Sequence, residues 1–454
     1  MPVSNSGTTR ITVLADSDTR WKWGALTASR LTAEGADTRL DGRLLRGRAT
    51  PTVRQLQEVG VRADSLREVT AVEFLREVER EAPDVIVLAL VGGAVQAVLH
   101  GLARIAADST GATGTTGSGK RPVVVTGYVG VVYEKLADGL LLRHGADVVL
   151  ANSRQDAERF RAVYEGVGAD ASGVVESALP FLGGAAYREK DQKDPKDQTD
   201  DPYTVVFAAQ PSVPDSRAHR TYLLRRMARH ARMHPDREVL LKLRSKPGEH
   251  TTHIEELPYQ KLAKGEDLPP NCRLVYGNMG EVLDRTDLLV TVSSTAALES
   301  LHRRIPTVVL TDLGVREALG NHHFIGSGCL ASWDEIDAGH SPDADPEWVA
   351  RQGVAPGGTY EKAFDAARAR VASLLAEPAL PPIAPYYSPT TAPGYLPGIL
   401  ARHHLGPDGA PLPGAPAADR GPGPVRQAVR SAARGAYRHG VQRVAPVIRR
   451  MGEL

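Results

Sequence analysis

Short, almost purely apolar runs alternate with longer amphipathic stretches through most of this chain, and the rhythm starts afresh after residue 202. An apolar run of strand length has no polar face to offer solvent, so both its faces must be covered. Helix-length segments between such runs supply the cover, and the pattern predicts parallel sheets wrapped by helices. In the first half, residues 11–15, 85–90, 122–126, 147–151 and 174–175 read as strands, and 70–80 and 155–164 as helices. Thr70 and Glu73 have capping-box spacing, and Phe74, Leu75 and Val78 share a helical face. In the second half, strands fit residues 203–208, 238–243, 273–276, 287–292 and 307–310. Helices fit 216–234, 279–284 and 295–303.

The break between the two halves is compositional. Residues 188–202 (REKDQKDPKDQTDDP) hold no apolar side chain except proline and mix both charge signs, so they read as a solvated linker. The expectation is an α/β chain with an N-terminal Rossmann-like domain over 1–187 and a second over 203–380. The two would face each other across a cleft, at the carboxyl ends of their strands. Residues 381–424 are rich in Pro, Gly and Ala and read as an irregular extension. Residues 425–451 read as a basic helix with Arg426, Arg430, Arg434 and Arg438 at spacing four. That tail suits an anionic membrane surface; a solvated or self-docked tail is the alternative.

A length of 454 residues accommodates two such domains, and 42% hydrophobic with 24% charged residues is a globular composition. With 55 Lys and Arg against 54 Asp and Glu, the net charge of +1 argues against a surface built to grip nucleic acid. Two cysteines, Cys272 and Cys329, make neither a zinc tetrad nor a disulfide framework. The polar start, residues 1–10, does not read as a secretory signal, so a cytoplasmic protein is expected, peripheral at the inner membrane face if the basic tail binds there. Residues 85–103 are the most apolar stretch, but Gly92, Gly93, Gln96 and His100 interrupt it; a strand, a turn and a helix explain it better than a span.

The strongest chemical signal is TDLLVTVSSTAALESLHRRIPTVVL, residues 286–310, in which a strand runs into Ser293, Ser294 and Thr295 at the start of a helix. The first amides of a helix lack internal acceptors and sit at its positive end, so they can hold a phosphate without a metal. Glu299, one turn on, can accept ribose hydroxyl hydrogens. A plain helix cap is the alternative. An earlier strand, VLLKLRSKP over 239–247, alternates Lys242, Arg244 and Lys246, which would share one face and neutralise phosphate. Tyr276, Gly277, Asn278 and Met279 follow the next strand, where a nucleotide base would sit.

This stretch resembles the Ser–Ser/Thr motif of bacterial sialyltransferases and polysialyltransferases of the GT-B fold. It is also similar to capsule polysaccharide transferases and UDP-GlcNAc epimerases. The resemblance covers roughly 203–330 and implies a metal-independent glycosyltransferase with no cofactor. Its partners would be a nucleotide-sugar donor and a glycan or lipid-linked acceptor. The family's second motif, His-Pro, has Lys246 before Pro247 here, and His250 and His253 follow shortly. A nucleotide-sugar epimerase, a glycerophosphotransferase and a non-catalytic nucleotide or glycan binder are the alternatives.

An inverting transferase also needs a base near the acceptor hydroxyl. Asp16 and Asp18 follow the first strand, with Trp21 and Trp23 close by as faces for a sugar ring; a helix cap at Asp18 and core positions for the two tryptophans are the alternative. Gly92, Gly93, Gly127 and Tyr128, at other strand ends, would line the acceptor side. His322 and His323 read as a structural pair. The sequence GTTGSGK over 114–120 imitates a phosphate-binding loop, but Arg121 replaces the needed hydroxyl residue and a strand follows instead of a helix. Asp343 and Asp345 are not accompanied by a compact ligand set with histidine, so they do not read as a metal site.

Overall fold

A computed structural model describes residues 8–32, 35–111, 120–131, 136–189, 202–246, 249, 255–354 and 360–415. Most of the charged segment 188–202, residues 114–119, Pro247, His250, His253 and the basic tail therefore lie outside the described residues. The rest divides into two compact units.

The first unit contains the residues up to Phe181 together with those from Tyr360 on. Its strands are β1 (Thr9–Ala15), β2 (Thr38–Leu45), β3 (Ser65–Val69), β4 (Val85–Ala89), β5 (Val123–Gly127), β6 (Val148–Ala151) and β7 (Val174–Glu176). They form one seven-stranded sheet in the order β3-β2-β1-β4-β5-β6-β7, every pairing parallel. β4, β5 and β6 are buried along their whole length, as apolar runs require. Helices cover both faces. Ala71–Glu81 starts at the expected capping box of Thr70 and Glu73. The helix Asp18–Arg30 is capped by Ser17, whose hydroxyl accepts from Arg20 N.

The second unit has β8 (Tyr203–Ala208), β9 (Arg237–Lys242), β10 (Cys272–Val275), β11 (Leu288–Thr291), β12 (Thr307–Leu310) and β13 (Leu330–Ala331). Their order is β10-β9-β8-β11-β12-β13, again all parallel. Its long helix, Arg217–Met233, is bracketed by Ser216 at the N-cap and His234 at the C-cap. Each sheet reverses its strand order once, between β1 and β4 and between β8 and β11.

The chain returns to the first unit at its end, which corrects the expectation that residues up to 380 belong with the second. Helix Asp365–Ala376 places Ala367, Val371 and Leu374 among the buried side chains of β1, β4, β5 and β6. Lys120, the last residue of the phosphate-loop imitation, donates its ammonium to Leu374 O (2.6 Å) and Leu375 O (2.8 Å), carbonyls at the end of that helix. Residues 381–415 have little regular structure, as expected, yet they are packed: Ile383, Leu396, Leu400 and Leu405 are buried against the helix Gly92–Gly111 and its neighbours. Among the described residues no helix is long and apolar enough to cross a membrane.

Candidate active site

Parallel register brings the predicted site residues of each unit to one edge of its own sheet. In the second unit Val275 pairs with Lys242, Lys242 with Ala208, Ala208 with Thr291, and Thr291 with Val309. The loops that follow leave the sheet side by side. They carry Gln210, Arg244 and Lys246, Tyr276 to Met279, and Ser293 to Thr295. In the first unit Ala15 pairs with Ala89, and Leu88 with Thr126. Asp16, Gly92, Gly93, Gly127 and Tyr128 therefore share the carboxyl edge of that sheet.

The three hydroxyl residues after β11 do different jobs. Ser293 is buried; its N–H donates to Gln210 Oε1 (3.0 Å) and its hydroxyl to Leu319 O (2.5 Å). Ser294 N donates to Thr291 Oγ1 (3.1 Å), while Ser294 Oγ accepts from Ala296 N (3.2 Å). Ala297 N bonds Ser294 O. The helix Ala296–His302 that follows is one short element whose N-cap, Thr295, makes no side-chain cap bond. The expected run of open amides thus contracts to one residue. Thr295 is half-buried, and neither its N–H nor its hydroxyl has a protein acceptor among the described residues.

The basic strand end also differs from expectation. β9 stops at Lys242, so the period-two face does not extend to Arg244 and Lys246. Lys242 is buried and donates to Leu243 O (2.9 Å). Arg244 is half-buried, and exposed Lys246 holds its ammonium 5.7 Å from the Tyr276 ring centroid. Gln260 links the neighbouring strand ends by donating to Ser245 O (2.9 Å) and to the Tyr276 hydroxyl (3.1 Å). Gly277 has φ +110°, which lets the chain turn out of β10, and Asn278 caps the helix Met279–Leu283 through Gly280 N (2.8 Å). Glu299 lies in the following helix, nearly buried.

In the first unit Asp16 is fixed from two sides. Its Oδ1 accepts from Arg20 Nη1 at 2.9 Å and its Oδ2 from Val91 N at 3.0 Å. Gln210 does the same in the second unit, taking the amide of Ser293. At both points of strand reversal, a side chain after the first strand of the unit therefore holds the loop after its fourth. Asp18 lies in the first turn of helix Asp18–Arg30, half-buried. Gly92 and Gly93 open the helix Gly92–Gly111, and a Cβ on Gly92 would meet Leu142 at 2.8 Å. Gly127 is equally confined, since a Cβ there would meet the Trp23 ring and Leu150 O at 2.8 Å each.

Trp21 and Trp23 are not a sugar platform. Both are 0% exposed within the core that β1, β4 and the helix Asp365–Ala376 share. Trp23 Nε1 donates to Asn152 Oδ1 (3.4 Å), and Asn152 Nδ2 donates to Tyr128 O (2.6 Å). The tryptophans support the edge from below.

Two residues that the sequence did not single out also belong to this edge. Buried Arg143 donates to Gly127 O (3.0 Å), Gly139 O (2.7 Å) and Leu90 O (3.2 Å) and stacks on Tyr128 with 4.0 Å to the ring centroid. No carboxylate pairs with it among the described residues, and burial pulls its pKa down. His403, on the turn after the helix Leu396–Ala401, lies within range of the charge on Asp16. Burial lowers its pKa, opposed by that carboxylate, so the imidazole is neutral at pH 7 and can accept a proton. No sequence signal marks His403, because it is far along the chain from Asp16 and sits in an irregular segment.

Several solved structures are similar to this chain at low identity. UDP-GlcNAc 2-epimerase from Methanocaldococcus jannaschii, in complex with UDP-GlcNAc and UDP, is 12% identical, with 81% of this chain and 99% of that one covered and a TM-score of 0.47. The Neisseria meningitidis UDP-GlcNAc 2-epimerase bound to UDP-GlcNAc is 10% identical, covering 81% and 100%, with a TM-score of 0.45. The spinosyn rhamnosyltransferase SpnG is 13% identical, covering 82% and 98%, with a TM-score of 0.40. No curated protein matches the sequence. Residues 11–374 match the family described as "Putative glycosyltransferase (DUF6716)", and the chain, with its two Rossmann-like units, belongs to that family of enzymes.

Proposed function

We propose that this enzyme transfers a sugar from a nucleotide-sugar donor to a hydroxyl of a glycan or cell-surface polymer, without a catalytic metal. The second unit binds the donor. The observation that carries this reading is the open pair of donors on Thr295, N–H and hydroxyl, at the sheet edge that also presents Arg244 and Lys246. Donors fixed in place before the reaction can stabilise the charge that grows on a departing nucleoside diphosphate or monophosphate. Tyr276 to Met279 would take the base and Glu299 the ribose.

The first unit supplies the acceptor side. Asp16 is the proposed base, and its charge acts on the imidazole of His403. Asp18 remains a second carboxylate on the same turn. Gly92, Gly93, Gly127 and Tyr128 shape the surface around them.

The test is a donor panel of UDP-, CMP-, GDP- and CDP-sugars, following nucleotide release with and without polyol and glycan acceptors in EDTA. A transferase releases nucleotide in step with acceptor. Release without acceptor, accompanied by a free epimerised sugar, would overturn the proposal in favour of an epimerase. Binding of a nucleotide without any turnover would overturn it in favour of a binding protein.

A further inference from the structure

Away from the strand ends just described, the second unit gathers two histidines and an aspartate. His230 and His234 are one helical turn apart at the end of Arg217–Met233, so they share a face. Asp337 ends the helix Trp333–Asp337, more than a hundred residues further on. One ring nitrogen of each histidine and a carboxylate oxygen of Asp337 lie within 4.8 Å of one another. The ring centroids of the two histidines are 4.6 Å apart, and Trp333 packs on His230 at 5.6 Å.

The hydrogen bonds decide which atoms are open. His230 is 0% exposed, and its Nδ1 bonds Asp337 Oδ1 at 2.7 Å. A carboxylate can only accept, so Nδ1 carries the proton and Nε2 carries the lone pair. That Nε2 is buried with no hydrogen-bond partner among the described residues, and so is Nε2 of His234. Buried polar atoms are rarely left without a partner. A histidine that donates one ring N–H to a carboxylate and keeps the other nitrogen open has the arrangement of a metal ligand. Arg226 takes the second oxygen of Asp337 at 3.2 Å and Arg237 adds a further nearby positive charge, so Asp337 is a partner of the imidazole more than a free ligand.

We propose that His230, His234 and Asp337 form a site for one divalent transition cation of the zinc class, with the two Nε2 atoms as nitrogen ligands and Asp337 orienting His230. Imidazole nitrogens select such borderline cations over magnesium or calcium. The site is structural. His234 leads into the amino end of β9, whereas Ser293 to Thr295 leave the carboxyl end of β11, so the two lie at opposite edges of one sheet. A bound ion would clip the helix after β8 to the helix after β13.

The experiment uses the full chain without a histidine tag, stripped with chelator and then dialysed against Zn²⁺ or Co²⁺. One equivalent is expected to bind. The melting temperature should rise by roughly 5 °C or more at a hundredfold excess over Kd. His234→Gln should abolish that binding and Asp337→Asn should weaken it about 10- to 100-fold. His340→Gln, an exposed histidine outside the set, should change neither. Absence of saturable binding, or one full equivalent retained by His234→Gln, would overturn the proposal. If His234→Gln does not fold, X-ray absorption of the zinc-loaded native chain replaces it: imidazole nitrogens at about 2.0 Å support the site, and an oxygen-only shell refutes it.

Discussion

Gly24 sits where the helix Asp18–Arg30 crosses β1 and β4, and substituting it sets two effects against each other. Alanine in a helix interior is favoured over glycine by about 1 kcal/mol. A Cβ at this position, however, would lie 2.6 Å from Val13 Cγ1 and 2.9 Å from Ala89 Cβ. Val13 is 0% and Ala89 1% exposed, and both belong to central strands that cannot yield without moving the sheet. Overpacking of this kind costs about 1–3 kcal/mol, and two such contacts place it in the upper part of that range. Gly24→Ala should therefore destabilise the first unit by a net of about 1–2 kcal/mol, or roughly 3–6 °C in Tm. Urea unfolding followed by the fluorescence of Trp21 and Trp23, with Trp333 and Trp348 replaced by Phe in every variant, reads this out. Val13→Ala removes the closer obstacle, so the double variant should be about 1 kcal/mol more stable than the two single effects summed. A Gly24→Ala protein at least as stable as its parent, or an additive cycle, would refute the close approach and with it the placement of Asp16 and Arg20 at the head of the same helix.

Thr295→Val should leave Tm unchanged, since the hydroxyl has no protein partner among the described residues, yet raise the donor KM about tenfold or more in initial-rate assays, the worth of one hydrogen bond to a charged group. Asp16→Asn should lower kcat by about a hundredfold or more while nucleotide affinity, measured by calorimetry, stays as it was. Asp156 gives a pH prediction: burial pushes its carboxyl up to about 6, against an ordinary 3.8. A raised carboxyl favours the folded state below its ordinary value and loses that contribution as pH rises through about 6, so ionised Asp156 is a burden at pH 8. Asp156→Asn should then stabilise the protein by on the order of 1–3 kcal/mol at pH 8 and not at pH 4; equal gains in thermal melts at both would count against it.

The strands that the sequence revealed are those built on an unbroken apolar run. β4, β8 and β12 come within a residue or two of their expected ends, because an apolar run bounded by Asp, Gly or Pro has only one way to be covered on both faces. β2 and β3 escaped notice for the opposite reason. TRLDGRLL and SLREV carry charges that are neutralised in place: Arg43 is buried and pairs with Glu77 at 2.7 Å. No local pattern announces a charge whose partner is on another element. The site followed the same division. Ser293, Asp16 and Gly127 were legible as strand-end residues, whereas the use of Ser293 N–H by Gln210 and the burial of Trp21 and Trp23 depend on packing from distant segments. His230 and His234 stood four apart in plain view, but nothing near them in the sequence marks Asp337 as the third member.

The return of helix Asp365–Ala376 to the first unit bears on how this enzyme is made. Synthesis runs from the amino end, so the β1–β7 sheet leaves the ribosome without the side chains of Ala367, Val371 and Leu374 that cover part of it. Throughout translation of the β8–β13 unit, that apolar surface waits for a helix not yet born. The second unit, continuous among the described residues, can close by itself, while the earlier one finishes later. A chain halted before residue 365 would display a greasy patch on an otherwise built sheet, a natural target for holding chaperones and a natural start for aggregation.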